Sequence, residues 1–257
     1  MRPTYERVLS AAAAAALFLS LTACGGQQAQ QPQQSAGQGS VSGEFTEGTG
    51  AERLAADTTA EDAKFGGTMK LNFNGATNSL DPAQFFTNQN YTPGYHIYES
   101  PVSVADDGSV WPGVCEYSMS DDSLQLTLTV RDGVKFHNGD TVDINDVVAS
   151  IDRFLVYSTA GQTNFGDYIA NTEVKDDRTV VYTFSDVAPI ALLTIGELKG
   201  GCKIMPAEIA QAHMDSYITD DSEIVGTGPY KLKSWNRDAD LTLERFDDYT
   251  ACETEGT

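Results

Sequence analysis

The sequence predicts a mixed α+β fold in which strands and helices are not strictly alternated. Three observations predict it. Several short segments alternate apolar and polar residues with a period of two, the pattern of half-buried strands. Two others open on helix-start signals at Asp143 and Pro206. Neither an internal repeat nor a regular strand-helix-strand rhythm runs through the 257 residues.

The first residues are read apart from the fold. Arg2 and Arg7 form a short basic region, Val8 to Leu21 an almost uncharged apolar run, and small residues follow, which is the order of a secretory signal peptide. The run is shorter than the roughly 20 residues that span a bilayer core. Leu21-Thr22-Ala23-Cys24-Gly25 is similar to a bacterial lipobox, in which Cys24 receives diacylglycerol and becomes the new N-terminus. Two acyl chains exceed the marginal binding of one and give stable anchoring. After it the composition is Gln, Gly, Ser, Ala, Thr and Glu, unable to bury enough surface to offset its ordering entropy. The expected organisation is a signal peptide over 1–23, a lipidated flexible tether over 24–62 and a folded region over 63–257.

Within that region, Met69, Leu71 and Phe73 alternate with polar neighbours and predict a first strand. Leu124, Leu126, Leu128 and Val130 predict another, and the Arg131-Asp132-Gly133 turn followed by Val134 and Phe136 predicts its hairpin partner. Asp143, three residues ahead of Asp146, caps a helix whose apolar stripe is Val147, Val148, Ile151, Phe154 and Leu155. Val180, Tyr182 and Phe184 predict a strand after the Asp176-Asp177-Arg178 turn, and Pro206 opens a helix through His213. Tyr230 to Ser234 faces Leu241 to Arg245 across Asn236 to Asp240 as a final hairpin.

Chemistry is mostly excluded. A formal net charge of −21 repels polyphosphate, so no nucleic-acid partner is expected. His96, His137 and His213 are widely spaced, form no HExxH arrangement, and leave the chain without a catalytic set, so no enzyme and no cofactor are expected. Asn236, Asp238 and Asp240 have the spacing of a calcium loop, but Leu241 stands where its glycine is needed, and a solvated hairpin turn is the better reading. Gly226-Thr227-Gly228-Pro229 lacks the lysine of a phosphate-binding loop and reads as a tight bend. Cys115 and Cys202 admit two readings, a disulfide or two small buried thiols.

Three blocks carry a family resemblance: Gly66 to Gln84 (GGTMKLNFNGATNSLDPAQ), Tyr95 to Arg153 with its VKFHNGD and DVVASIDR runs, and Val225 to Tyr249 (VGTGPYKLKSWNRDADLTLERFDDY). In this order they resemble the family 5 extracellular solute-binding proteins of ABC importers, which include oligopeptide, dipeptide and nickel receptors. The resemblance implies an incomplete mixed α/β lobe of a type II (cluster C) periplasmic-binding-protein-like fold. Because the match stops at Tyr249, it also implies a chain truncated before the second lobe, with some strands left as exposed edges.

What it implies about function is a monomeric, lipid-anchored, extracytoplasmic receptor on the cell surface or in the periplasm. Such a receptor captures a peptide or similar small solute and delivers it to an ABC permease in the cytoplasmic membrane. A non-transporting surface lipoprotein, or a nickel- or haem-type receptor using His96 or His213, is the alternative. The implied cleft wall is the segment after SLDP, namely Phe85, Phe86, Thr87 and Asn88, in which Phe86 offers an aromatic wall and Asn88 a hydrogen-bonding group. The same residues also fit a surface loop with packed aromatics.

Overall fold

The structure is a computed structural model that describes residues 66–196, 200–237 and 239–251. The expected signal peptide and tether, and Cys24, lie outside these residues.

The larger core is built on a four-stranded antiparallel sheet in the order β3-β4-β6-β5, with β3 at Cys115–Met119, β4 at Gln125–Val130, β5 at Ile169–Val174 and β6 at Thr179–Phe184. Pairing sets Leu126 opposite Tyr182 and Leu128 opposite Val180, so the alternating apolar residues of both central strands fall on one buried face. Phe165 closes that face with edge contacts to Tyr182 and Phe184 at centroid distances of 5.2 and 5.6 Å. A small hairpin, β1 at Val102–Val104 and β2 at Val110–Pro112, stands beside it.

Two expectations about strands are corrected. The hairpin predicted across Arg131-Asp132-Gly133 does not form, because both edges of β4 are already taken by β3 and β6. Gly133, at φ +75°, turns the chain there, and Val134 and Phe136 are buried in a loop closed by an isolated bridge between Lys135 and Thr141. The strand predicted over Met69 to Phe73 is also absent: no described strand hydrogen-bonds to the segment, and Met69 is 76% exposed. Alternation alone does not make a strand without a neighbour to satisfy its backbone.

Two of the helices follow the start signals at Asp143 and Pro206. Among the described residues, α1 is Asn88–Ile97, α2 Ile144–Tyr157, α3 Thr159–Asn164, α4 Ala191–Gly196 and α5 Ala207–Ala212. The capping box of α2 is complete. Asp143 accepts from the N–H groups of Asn145 and Asp146, and Asp146 accepts from the N–H of Asp143 at 2.9 Å. The second oxygen of Asp146 accepts from the N–H of Ala207 at 2.8 Å, so one carboxylate fixes the starts of α2 and α5 together. The final hairpin forms as expected, with β7 at Tyr230–Asn236 and β8 at Asp240–Arg245, and lays Leu232, Trp235, Leu241 and Leu243 on a second core around Leu80, Ile97, Tyr98 and Met205.

Cys115 and Cys202 are buried and free, so the thiol reading holds in place of the disulfide. Burial pushes the Cys115 thiol up to about 12 and raises that of Cys202 as well.

Gly226 and Gly228 form the expected bend because they lie against the end of α1. A Cβ on Gly226 would meet the Ile97 carbonyl oxygen at 2.1 Å, and one on Gly228 the His96 carbonyl oxygen at 2.5 Å. His137 locks this bend. Its N–H donates to the Gly226 carbonyl at 3.0 Å and its Nε2 donates to the Gly228 carbonyl at 2.9 Å, which leaves Nδ1 facing the Gly226 N–H as acceptor. Burial holds the imidazole below its ordinary pKa, opposed by the Gly228 carbonyl and assisted by Lys231. A histidine whose folded value is depressed contributes stability above the unfolded value of about 6.5 and loses it as pH falls through the folded one. Thermal melts from pH 7 to pH 5 should therefore fall less steeply for His137→Gln than for the unaltered protein; parallel slopes would refute the assignment.

A strap finishes the described chain. Arg131 donates to the Thr250 and Ala251 carbonyls, both at 3.3 Å, and the Thr250 hydroxyl donates to the Gly133 carbonyl at 2.8 Å. Lys135 pairs with Asp248 at 2.9 Å, and the Tyr249 hydroxyl donates to Glu99 at 2.9 Å.

Candidate ligand site

The loop that carries the expected cleft residues is fixed by a buried ion pair. Asp81, fully buried, ends SLD and accepts from the Ala83 N–H at 2.9 Å, which starts a single 3-10 turn over Pro82–Gln84. Its two oxygens take both terminal nitrogens of Arg153 at 2.9 and 2.8 Å, and one also accepts from the Ile218 N–H at 2.8 Å. Arg153 projects from the buried face of α2, donates through Nε to the His213 carbonyl at 3.0 Å, and lies 4.8 Å from the centroid of the Tyr157 ring. Helix α2, the SLDP loop and the 213–218 segment are thus joined at one point. Neither Asp81 nor Arg153 was singled out by the sequence reading. The available signal was an arginine on the otherwise apolar stripe of an amphipathic helix.

Asn90 fixes the other side of the loop. It accepts from the N–H groups of Asn78 and Ser79 and donates to Asn78 Oδ1 at 2.8 Å and the Gln84 carbonyl at 3.0 Å. All four of these side-chain hydrogen bonds go to the loop, and the side chain is buried.

Above the turn, a cavity of ≈ 260 Å³ opens between the loop, the Ser150 to Tyr157 face of α2, the start of α3 and the 200–205 segment. Phe85 and Phe86 both reach it, and they differ. Phe85 is packed over Gly94, where a Cβ would meet its ring at 2.2 Å, whereas Phe86 is 79% exposed at the rim. Thr87 and Asn88 are not in the lining; they are exposed at the start of α1. The 200–205 segment contributes Lys203, a buried cation that the sequence reading passed over. Its Nζ donates to Ser100 Oγ at 2.7 Å and sits 5.8 Å from the Tyr95 ring centroid.

The other expected polar candidates are committed elsewhere. His213 contacts Ser216 and Glu223, each at 3.0 Å, and the His96 ring lies tilted against that of Tyr230 at a centroid distance of 5.7 Å. Among the described residues, no three His, Cys, Asp or Glu side chains are placed to hold a metal ion. No described helix is long and apolar enough to cross a membrane.

Comparison with known proteins gives consistent matches. The model of a family described as bacterial extracellular solute-binding proteins, family 5 Middle, matches residues 109–255. The dipeptide-binding protein DppE of Bacillus subtilis (strain 168) is 26% identical over 225 residues, which cover 78% of this chain and 40% of that protein. The glutathione-binding protein GsiB of Salmonella paratyphi A is 33% identical over 134 residues, covering 52% of this chain and 25% of that one. Among solved structures, the binding protein AgaA in complex with agropinic acid, from A. tumefaciens R10, superposes with a TM-score of 0.58 at 28% identity, over 69% of this chain and 35% of that one. The chain therefore spans well under half the length of these relatives, and its fold is part of the type II periplasmic-binding-protein fold.

Proposed function

Since the chain belongs to the bacterial extracellular solute-binding proteins of family 5, we propose that it serves as the lipid-anchored, solute-capturing component of an ABC importer, with peptides as its solutes. The observation that carries the reading is the family match over residues 109–255, and the dipeptide- and glutathione-binding relatives support the peptide assignment. In this reading the bound solute is held by non-covalent contacts and passed to a permease in the cytoplasmic membrane, and no bond is made or broken. The cleft wall includes Phe85 and Phe86, with Thr87 and Asn88 on the exposed start of α1 available to the part of a solute outside the cavity.

Native mass spectrometry of the chain purified without denaturation should show a bound peptide, and isothermal titration of the stripped chain should recover it. A folded sample that carries and binds no peptide would overturn the reading.

Anchoring rests on the sequence around Cys24 and on the family's place outside the cytoplasm. Cells fed a radiolabelled fatty acid should label the chain, and Cys24→Ala should abolish the label and shift the protein from the membrane to the soluble fraction. Undiminished labelling of the variant would refute Cys24 as the acceptor.

A further inference from the structure

Resting on the solute-receptor reading, we propose that the cavity beside Phe86 is a side-chain pocket that selects a bulky, uncharged apolar group, aromatic or leucine-sized, on the bound solute.

Size limits the occupant first. At ≈ 260 Å³ the cavity falls below the roughly 300–1,000 Å³ of pockets that enclose whole small ligands, so it takes one group of a larger solute. Polarity limits it next, because the polar side chains of Ser150, Arg153, Tyr157, Ser158 and Lys203 on its walls already serve the fold. Ser150 both donates to the Met205 carbonyl at 3.1 Å and accepts from the Met205 N–H at 3.0 Å. Arg153 is held by both oxygens of Asp81, the Tyr157 hydroxyl donates to the Ser216 carbonyl at 2.8 Å, and Ser158 accepts from the Gly161 N–H at the start of α3. Lys203 donates to Ser100.

A charged or strongly polar group that turned to one of these side chains would have to take its contact from the fold, and that cost opposes it. The larger part of what is left is apolar, namely Phe154, Met205, the ring of Pro82 and the two phenylalanines, with Thr159 and the Gly200-Gly201 backbone at the edge. Phe86 adds a second consideration. It stands at the rim with most of its ring in water, so an apolar group seated in the cavity would remove ring surface from solvent as well as its own.

The test uses the full chain and the tripeptides Ala-Phe-Ala, Ala-Leu-Ala, Ala-Lys-Ala and Ala-Asp-Ala in isothermal titration. The phenylalanine and leucine peptides should bind about tenfold or more tightly than the charged pair. Ala83→Trp, which puts an indole into the cavity from its wall, should erase the difference. Phe86→Ala, at an exposed position that the fold does not need, should weaken the phenylalanine peptide about three- to tenfold at an unchanged melting temperature. Equal binding of charged and apolar peptides, or a preference unmoved by Phe86→Ala, would overturn the pocket assignment and leave the receptor reading standing. Absence of binding by all four peptides would overturn the pocket and the peptide reading together.

Discussion

Arg153→Met should destabilise the chain by about 3–5 kcal/mol, the usual cost of removing one partner from a buried ion pair. The substitution keeps the length of the apolar stem and deletes the charge. Asp81, with no solvent exposure, then retains only the N–H donors of Ala83 and Ile218 around its carboxylate. The loss also removes the Nε donor from the His213 carbonyl and leaves the Tyr157 hydroxyl as the α2 group still bonded to the 213–218 segment. Against the 5–15 kcal/mol that holds a typical domain, such a loss moves the urea midpoint by a large fraction of its value. Adding Asp81→Asn should restore part of it, because a neutral amide oxygen still accepts one N–H and no charge is left buried. Urea titrations followed by far-ultraviolet dichroism measure all three variants. A single variant within 1 kcal/mol of the unaltered chain, or a double variant weaker than the single, would show that the pair does not govern the loop.

Gly226→Ala should be comparably severe for a different reason. The added methyl carbon would lie 2.1 Å from the Ile97 carbonyl oxygen and 2.7 Å from Tyr98 Cδ1. The obstacle is mainly backbone at the end of α1, where the Ile97 carbonyl also accepts from Gly228 N–H at 2.9 Å and cannot swing aside. Relief requires the bend to retreat from α1, and the His137 contacts go with it, so the cost is expected at the upper end of the about 1–3 kcal/mol of overpacked cores, or above it. Gly133→Ala is the informative control. Its nearest neighbour is Thr250 Oγ1 at 3.8 Å, so alanine there meets only the strain of φ +75°, about 1–2 kcal/mol. Equal effects at the two glycines, read as melting temperatures, would mean that contact with α1 does not matter.

The parts of the fold that could be read in advance were those whose signals are local. Asp143 and Asp146 cap their own helix, and Tyr230 to Arg245 pairs with itself across a short turn. The parts that could not be read depend on a distant neighbour. Strand β5, Ile169–Val174, buries almost nothing and is a strand because β6 lies beside it. Helix α1 does bury residues at i, i+3, i+4 and i+7, but these are Asn90, Pro93, Gly94 and Ile97, so its inward face has no apolar stripe. The candidate site divides the same way. Phe85 and Phe86 were found by their position after SLDP, whereas Arg153 and Lys203 become visible only once α2 and the 200–205 segment face that loop.

The strap over residues 248–251 gives the chain a mechanical ground. Arg131, Gly133, Lys135 and Glu99 hold it with contacts distributed over four consecutive residues, so these residues are tied both to the loop between β4 and α2 and to the residue two places beyond α1. The end of the described chain is thereby fastened to parts of the fold other than the β7–β8 hairpin that precedes it.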